Sequence, residues 1–311
     1  MEKKSILIIA GPTAVGKTEY AIETALKLEG EIVSADSMQL YRYMDIGSAK
    51  PTDEERSRVH HYLVDEIDPR QDFSVFEYQK RAREAIREIF GKGKTPVISG
   101  GTGLYIHSLM YEMDFSARPD TKDLRLRLEQ KAEEEGGEVL HQMLMGLDPE
   151  AAERIHPNNV KKIIRALEIL ETGEALRPFE KSFVPVSDYD VCLIGLTRDR
   201  QELYDRIDRR VDLLMEQGLV EEVRKLGEMG LTEDSISMKG IGYKEVFGFL
   251  KGEYDLEEAA RLIKRNTRRY AKRQLTWLRR YKGLHWVDLS SGNKEGSLEE
   301  ILRYWEGESW R

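Results

Sequence analysis

Ile6-Leu7-Ile8-Ile9-Ala10-Gly11-Pro12-Thr13-Ala14-Val15-Gly16-Lys17-Thr18 is the stretch that decides the fold. Ile6 to Ala10 is a short, fully apolar and mostly β-branched run, the pattern of a parallel strand buried on both faces. Gly11 to Thr18 matches G-x-x-x-x-G-K-[ST], the phosphate-loop pattern. Glu19 to Leu28 then predicts a helix, because Ala21, Ile22, Ala25 and Leu28 recur at helical spacing. Each residue type has a physical task. The glycines let backbone N–H groups turn inward around phosphate oxygens, and the helix N-terminus adds partial positive charge. Lys17 supplies a full charge, and the Thr18 hydroxyl can ligate Mg²⁺. Gly11, Pro12, Thr13, Ala14, Val15, Gly16, Lys17 and Thr18 therefore predict a bound di- or triphosphate, without naming the reaction.

Further strands follow the first. Glu31–Ala35, Thr95–Ser99 and Val191–Leu196 read as buried strands, with Leu284–Leu289 a possible fifth. Phe76–Phe90 reads as a helix rich in i,i+4 charge pairs, ended by Gly91 and Gly93. Strands alternating with helices predict an α/β fold, a P-loop NTPase-like parallel sheet flanked by helices. Between Ala117 and Glu180 three helical segments stand alone: Thr121–Glu135, Glu138–Met145 and Val160–Glu171, punctuated by Pro119, Pro149, Pro157 and Pro178. The predicted organisation is a core of residues 1–116 and 186–311, interrupted by an all-helical insertion domain at 117–185.

The 311 residues are 40% apolar, enough for a sizeable core. One cysteine, Cys192, excludes an intrachain disulfide and a Cys-rich zinc site, and its apolar neighbours make it a buried strand residue. Lys3-Lys4 before the first apolar run imitates a secretion signal, but the run is too short and Gly11-Pro12 stops it. The expected location is a reducing cytoplasm, with no membrane partner. His60 and His61 are read as packing or hydrogen-bonding residues rather than metal ligands.

A motor-type ATPase wants an apolar strand that ends in a Walker-B acid. Only the second strand does so, in Asp36, while the last carries Asp288, so small-molecule group transfer is favoured. In an open α/β sheet the carboxyl ends of the strands face the ligand crevice. That places Asp36 near the phosphates as a general base or a magnesium partner, or else as an N-cap or Asx-turn residue. Gly100-Gly101-Thr102-Gly103 ends another strand and faces the same crevice.

These residues resemble a family. Gly11–Thr18, Asp36-Ser37-Met38-Gln39-Leu40-Tyr41, Gly47-Ser48-Ala49-Lys50-Pro51-Thr52, His60-His61-Tyr62-Leu63 and Gly100–Tyr105 look like motifs of the tRNA dimethylallyltransferases. So do Arg165-Ala166-Leu167-Glu168, Gly240-Ile241-Gly242-Tyr243 and Lys272-Arg273-Gln274-Leu275-Thr276-Trp277-Leu278-Arg279. Ser48 stands where the family usually has Thr, and Tyr62 where Leu is usual. No Cys/His zinc module follows, as in the bacterial form. The resemblance implies transfer of a dimethylallyl group from dimethylallyl diphosphate to the exocyclic amine of adenosine 37 in tRNA. By the same resemblance Asp36 accepts the amine proton, and Thr102 positions the amine or the donor. The loop, with Mg²⁺ on Thr18, stabilises the leaving pyrophosphate, and an arginine of the helix around Tyr204–Met215 reaches it. Arg210 is the candidate, with Arg206 and Arg209 as neighbours on that helix.

Arg261 to Lys282 holds ten basic residues and no acid in a chain of net charge −8, which predicts a local phosphate-binding face on an acidic body. By resemblance Lys272, Arg273, Arg279, Lys239, Lys244, Arg125, Lys161, Lys162 and Arg165 contact the anticodon stem-loop, while Ser37, Met38 and Gln39 frame an extruded base. The protein is expected to be a monomer. Three other readings compete: an isopentenyltransferase on free adenine nucleotides, a P-loop kinase of a small metabolite, and a non-catalytic RNA-binding switch.

Overall fold

The computed structural model describes residues 4–113, 122–171, 173, 183–307 and 310. Ser5–Ala10 forms β1, buried from Ile6 onward, and Lys17–Lys27 forms α1. The remaining strands are β2 (Glu31–Ala35), β3 (His61–Tyr62), β4 (Pro96–Gly100), β5 (Asp190–Thr197) and β6 (His285–Asp288). They form one sheet in the order β3-β2-β4-β1-β5-β6, with every pair parallel. The chain runs to one side of β1 first and to the other side later. The crevice at that switch point is where ligands of such sheets bind. The expected strands are all present. β3 was not anticipated, because a His-Tyr pair carries no apolar run.

Both faces of the sheet are covered. Leu7, Ile9, Cys192 and Ile194 share one core with Ala21 and Ile22 of α1, Leu203 and Ile207 of α9 (Arg200–Glu216) and Ala271 of α12 (Leu256–Leu278). The alternating residues Ile6, Ile8, Val33 and Ile98 are equally buried, as strands wound on both faces require. Helix α2 (Asp53–Arg58) opens with a capping box from Thr52, and α3 (Val75–Gly91) with one from Ser74. α4 (Gly103–Met110) follows β4 directly. Burial pushes the Cys192 thiol up to about 12, consistent with an inert strand residue. His61 packs in β3, with Nδ1 2.8 Å from the Val59 carbonyl.

Tyr111–Pro185 is a compact unit of its own. It begins six residues earlier than expected, where Tyr111 bridges Pro185 in antiparallel fashion. The expected boundary at 116–117, Pro119, Thr121 and Pro178–Glu180 lie outside the described residues. Helices α5 (Lys122–Glu135), α6 (Gly137–Leu147), α7 (Pro149–Arg154) and α8 (Val160–Glu171) enclose Leu128, Leu140, Leu144, Ile163 and Leu167. Pro149 does more than separate helical segments. It is the first residue of α7, whose Asp148 cap accepts from the Ala151 amide. The sheet unit is completed by α10 (Leu219–Glu228), α11 (Tyr243–Leu250) and α13 (Lys294–Glu306). No described helix is long and apolar enough to cross a membrane.

Candidate active site

The phosphate loop leaves β1 and enters α1 with Ala14 at φ 64° and Gly16 at φ 114°. A side chain at Gly11 would place its Cβ 2.9 Å from the Leu196 carbonyl oxygen, so only glycine fits there. Two carbonyls of the loop are tied to arginines: Ala14 O accepts from Arg206 Nε and Val15 O from Arg198 Nε, both at 2.9 Å. Arg198 also donates to the Leu289 carbonyl and to Glu202, anchoring the loop to the far edge of the sheet. The Thr13 amide donates to Gln274 Oε1 (2.8 Å), and Gln274 Nε2 donates to Gly101 O (2.9 Å). Gln274 thus staples the phosphate loop to the turn after β4, and Thr13's amide is engaged there.

Thr13, Ala14, Gly16, Lys17 and Thr18 line a cavity of about 580 Å³ together with Asp36, Ser37, Met38, Gln39 and Arg210. Lys17 Nζ donates to the Pro12 carbonyl (2.8 Å). Burial lowers its pKa to about 8, against the pull of Asp36 and with the help of Arg210. Burial also lowers the Arg210 guanidinium, with Asp36 opposing. Lys17, Arg210 and Asp36 therefore feel one another across one site. Of the three neighbouring arginines, Arg206 holds Ala14, Arg209 is exposed, and Arg210 lines the cavity.

Asp36 ends β2. Its Oδ1 accepts from the Met38 amide (2.9 Å), so the Asx-turn geometry coexists with a place in the cavity wall. Thr102 Oγ1 accepts from the Ser37 amide (3.0 Å), and the Tyr270 hydroxyl lies close to Thr102 and Gln274. Thr102 is thus placed to fix the backbone beside Asp36. The cavity has an apolar flank. Ile207, Val211 and Leu214 of α9 stand at helical spacing, and Ile263, Thr267 and Tyr270 of α12 face them. The Lys264–Asp212 pair (2.6 Å) and the Arg268–Asp208 pair run these two helices antiparallel.

Those pairs correct the view of Arg261–Lys282 as a run of unopposed charge. Asp208 and Asp212 arrive from α9, and Glu258 pairs with Arg261 (2.5 Å). Lys272, Arg273 and Arg279 are exposed, as is Lys244 on α11, while Arg273 and Lys239 also border the cavity. In the helical unit Lys161 and Lys162 are exposed, whereas Arg125 and Arg165 clasp the buried Glu168. Sequence reasoning missed Gln274, Arg198 and Glu222. A buried glutamine on the inner stripe of a basic helix is a readable signal for the first, and the other two carry none.

Among the described residues no cluster of three or more His, Cys, Asp or Glu side chains could cage a metal. The Thr18 hydroxyl and the Asp36 carboxylate are among the oxygen donors that line the cavity. That donor set suits Mg²⁺, which keeps waters and takes phosphate oxygens rather than a full protein cage.

The model of the IPP transferase family matches residues 39–281. The chain is 52% identical over 301 residues to the tRNA dimethylallyltransferase of Alkaliphilus oremlandii, covering 96% of each. It is 49% identical over 305 residues to that of Clostridioides difficile, covering 98% of each. Among solved structures it superposes on the tRNA isopentenylpyrophosphate transferase of Bacillus halodurans with TM-score 0.71 and 42% identity, over 98% of this chain and 100% of that one. A eukaryotic dimethylallyltransferase acting on tRNA gives TM-score 0.77 at 27% identity, over 96% of this chain and 77% of that one. The phosphate loop, the acid after β2 and the whole-length matches agree: this chain belongs to the IPP transferase family, among the tRNA dimethylallyltransferases.

Proposed function

We propose that the cavity transfers a dimethylallyl group from dimethylallyl diphosphate to the exocyclic amine of adenosine 37 in a tRNA anticodon stem-loop, releasing pyrophosphate. The observation that carries this reading is one cavity with cationic Lys17 and Arg210, a carboxylate in Asp36 and an apolar flank from α9 and α12. A diphosphate, an amine and a short hydrocarbon need those three environments. The allylic C–O bond breaks as the C–N bond forms, and pyrophosphate carries away the electron pair. Lys17, Arg210 and the loop amides stabilise that growing charge. Thr18 would hold Mg²⁺, which would supply further neutralisation of the leaving group's charge. The adenine amine is a weak nucleophile, and Asp36 takes its proton as the bond forms. Ser37, Met38, Gln39 and Lys239 frame the extruded base. Lys244, Lys272, Arg273 and Arg279, with Arg125, Lys161, Lys162 and Arg165 of the helical unit, meet the RNA backbone.

Incubation with labelled dimethylallyl diphosphate and unmodified tRNA should place the label on the adenosine beside the anticodon. Label on AMP in preference to tRNA, or phosphate transfer from ATP, would replace the reading with a nucleotide prenyltransferase or a kinase. Asp36→Ala should lower the single-turnover rate at least ~10²-fold while sparing stem-loop binding. A near-normal rate in that variant removes Asp36 from the role of base.

A further inference from the structure

Four consecutive backbone amides converge on one pair of side chains outside the cavity. Glu222, in the first turn of α10, accepts from Asp45 (2.8 Å) and Ile46 (2.7 Å) through Oε2 and from Gly47 (2.9 Å) through Oε1. The Ser48 amide donates to the Tyr243 hydroxyl (3.0 Å), which itself donates to Glu222 Oε1 (2.8 Å). Burial and the Glu222 carboxylate push the Tyr243 phenol well above its ordinary pKa, so it remains a donor. Gly47 sits flat on the Tyr243 ring, where a Cβ would come within 2.5 Å of Cζ. A row of convergent amides is a cradle for an anion. Here the protein fills the cradle with its own carboxylate.

What the cradle holds in place is a wall of the cavity. Gly47, Ser48 and Ala49 line it, and the Ala49 carbonyl accepts from Gln39 Nε2 (3.3 Å), whose Oε1 accepts from the Ser34 hydroxyl (3.2 Å). Tyr243 closes a second rim, Lys239–Gly242, where Met38 seats against Gly240. Both rims flank Asp36–Gln39, and none of these bonds involves the phosphate loop.

We propose that Glu222 and Tyr243 are positioning residues for the acceptor side of the cavity. The carboxylate locks the 45–48 turn to the 240–243 turn, and so fixes Gln39 and Met38, the groups that receive the nucleobase beside Asp36. This rests on the transfer reading above.

Glu222→Gln is the test, because it keeps the size but presents an NH₂ to amides that need an acceptor. The stem-loop KM should rise about tenfold while the donor KM stays within about twofold. In hydrogen exchange the amides of residues 45–48 should lose protection. Tyr243→Phe keeps the three bonds from backbone amides to Glu222, loses the hydroxyl's own two, and should show the same split at smaller amplitude, even if Glu222→Gln folds poorly. A merely structural role would move both KM values together. That result, or an unchanged stem-loop KM in variants with faster exchange, overturns the proposal. Wild-type protein that transfers no label to tRNA overturns the transfer reading and this proposal with it, whereas wild-type transfer with unsplit variants overturns this proposal alone.

Discussion

In the proposed reaction Lys17 brings a full charge to the diphosphate, and burial sets the pH at which that charge is lost. Its pKa of about 8 lies below the ordinary lysine value of 10.5. Between those values the unfolded chain binds more protons than the folded one, so this group's contribution to stability rises with pH across that window. Binding behaves in the opposite way, because a diphosphate prefers the protonated amine. With stem-loop saturating, the donor KM should be flat below about pH 8 and rise above it, by up to about tenfold per pH unit. The rate at saturating donor should change less, since bound pyrophosphate restores the proton. A donor KM that stays flat to pH 9.5 would show that Lys17 keeps its charge or does not meet the phosphates. At this scale the site was half legible. Lys17 and Asp36 announce themselves by motif and by position after a strand. Arg210 could not be told from Arg206 and Arg209 until α9 was placed, because the choice depends on which face of the helix meets the loop. Glu222 was invisible, since its partners are backbone amides about 175 residues away.

Elements were legible where one physical signal dominates. Apolar β-branched runs placed four of the six strands, because burial on both faces leaves no other composition open, while the half-buried β6 was legible only as a possible fifth. Three of the four described helices of the insertion were legible in the sequence, but α7 and what joins them were not. α5 contributes Leu128 to the core of its unit and little else that is fully buried, so much of its hold on α8 is polar. Arg125 Nε and Nη2 meet the two oxygens of Glu168 at 2.9 and 2.8 Å, and Arg165 adds a contact at 3.3 Å. Glu168 is 1% exposed and Arg125 is 50% exposed. Removing a buried partner commonly costs about 3–5 kcal/mol when the other charge is left buried. Here the arginines can turn to water, so Glu168→Ala should cost about 1–2 kcal/mol. The loss should be local, with faster amide exchange across Lys122–Glu135 and unaltered exchange in the strands of the sheet. Uniform destabilisation of both units would show that the clasp is not what holds α5.

Across the whole molecule, charge is where sequence and structure part most sharply. A net charge of −8 conceals ten basic residues without an acid between Arg261 and Lys282. A one-dimensional reading counts them all as available to a polyanion. In the fold α12 lies against α9, and Asp208 and Asp212 neutralise Arg268 and Lys264. Those two pairs fix the register of the helices that flank the cavity, so part of the basic run is structural. Lys272 and Arg279 point to solvent, and Arg273 lies over the Tyr270 ring. Counterion release counts only the cations that meet phosphates. Lys272→Ala and Arg279→Ala should therefore each make the slope of log K against log salt for a stem-loop shallower by roughly 0.7–0.9, whereas Lys264→Ala and Arg268→Ala should barely change it. The paired residues should show their effect in stability instead, because each truncation leaves a carboxylate of α9 without its cation. If the four variants change the salt slope equally, α9 releases α12 when RNA binds, and the ion pairs are a reserve of charge rather than a brace. If none changes it, the RNA lies elsewhere, and the basic helix serves only to wall the cavity.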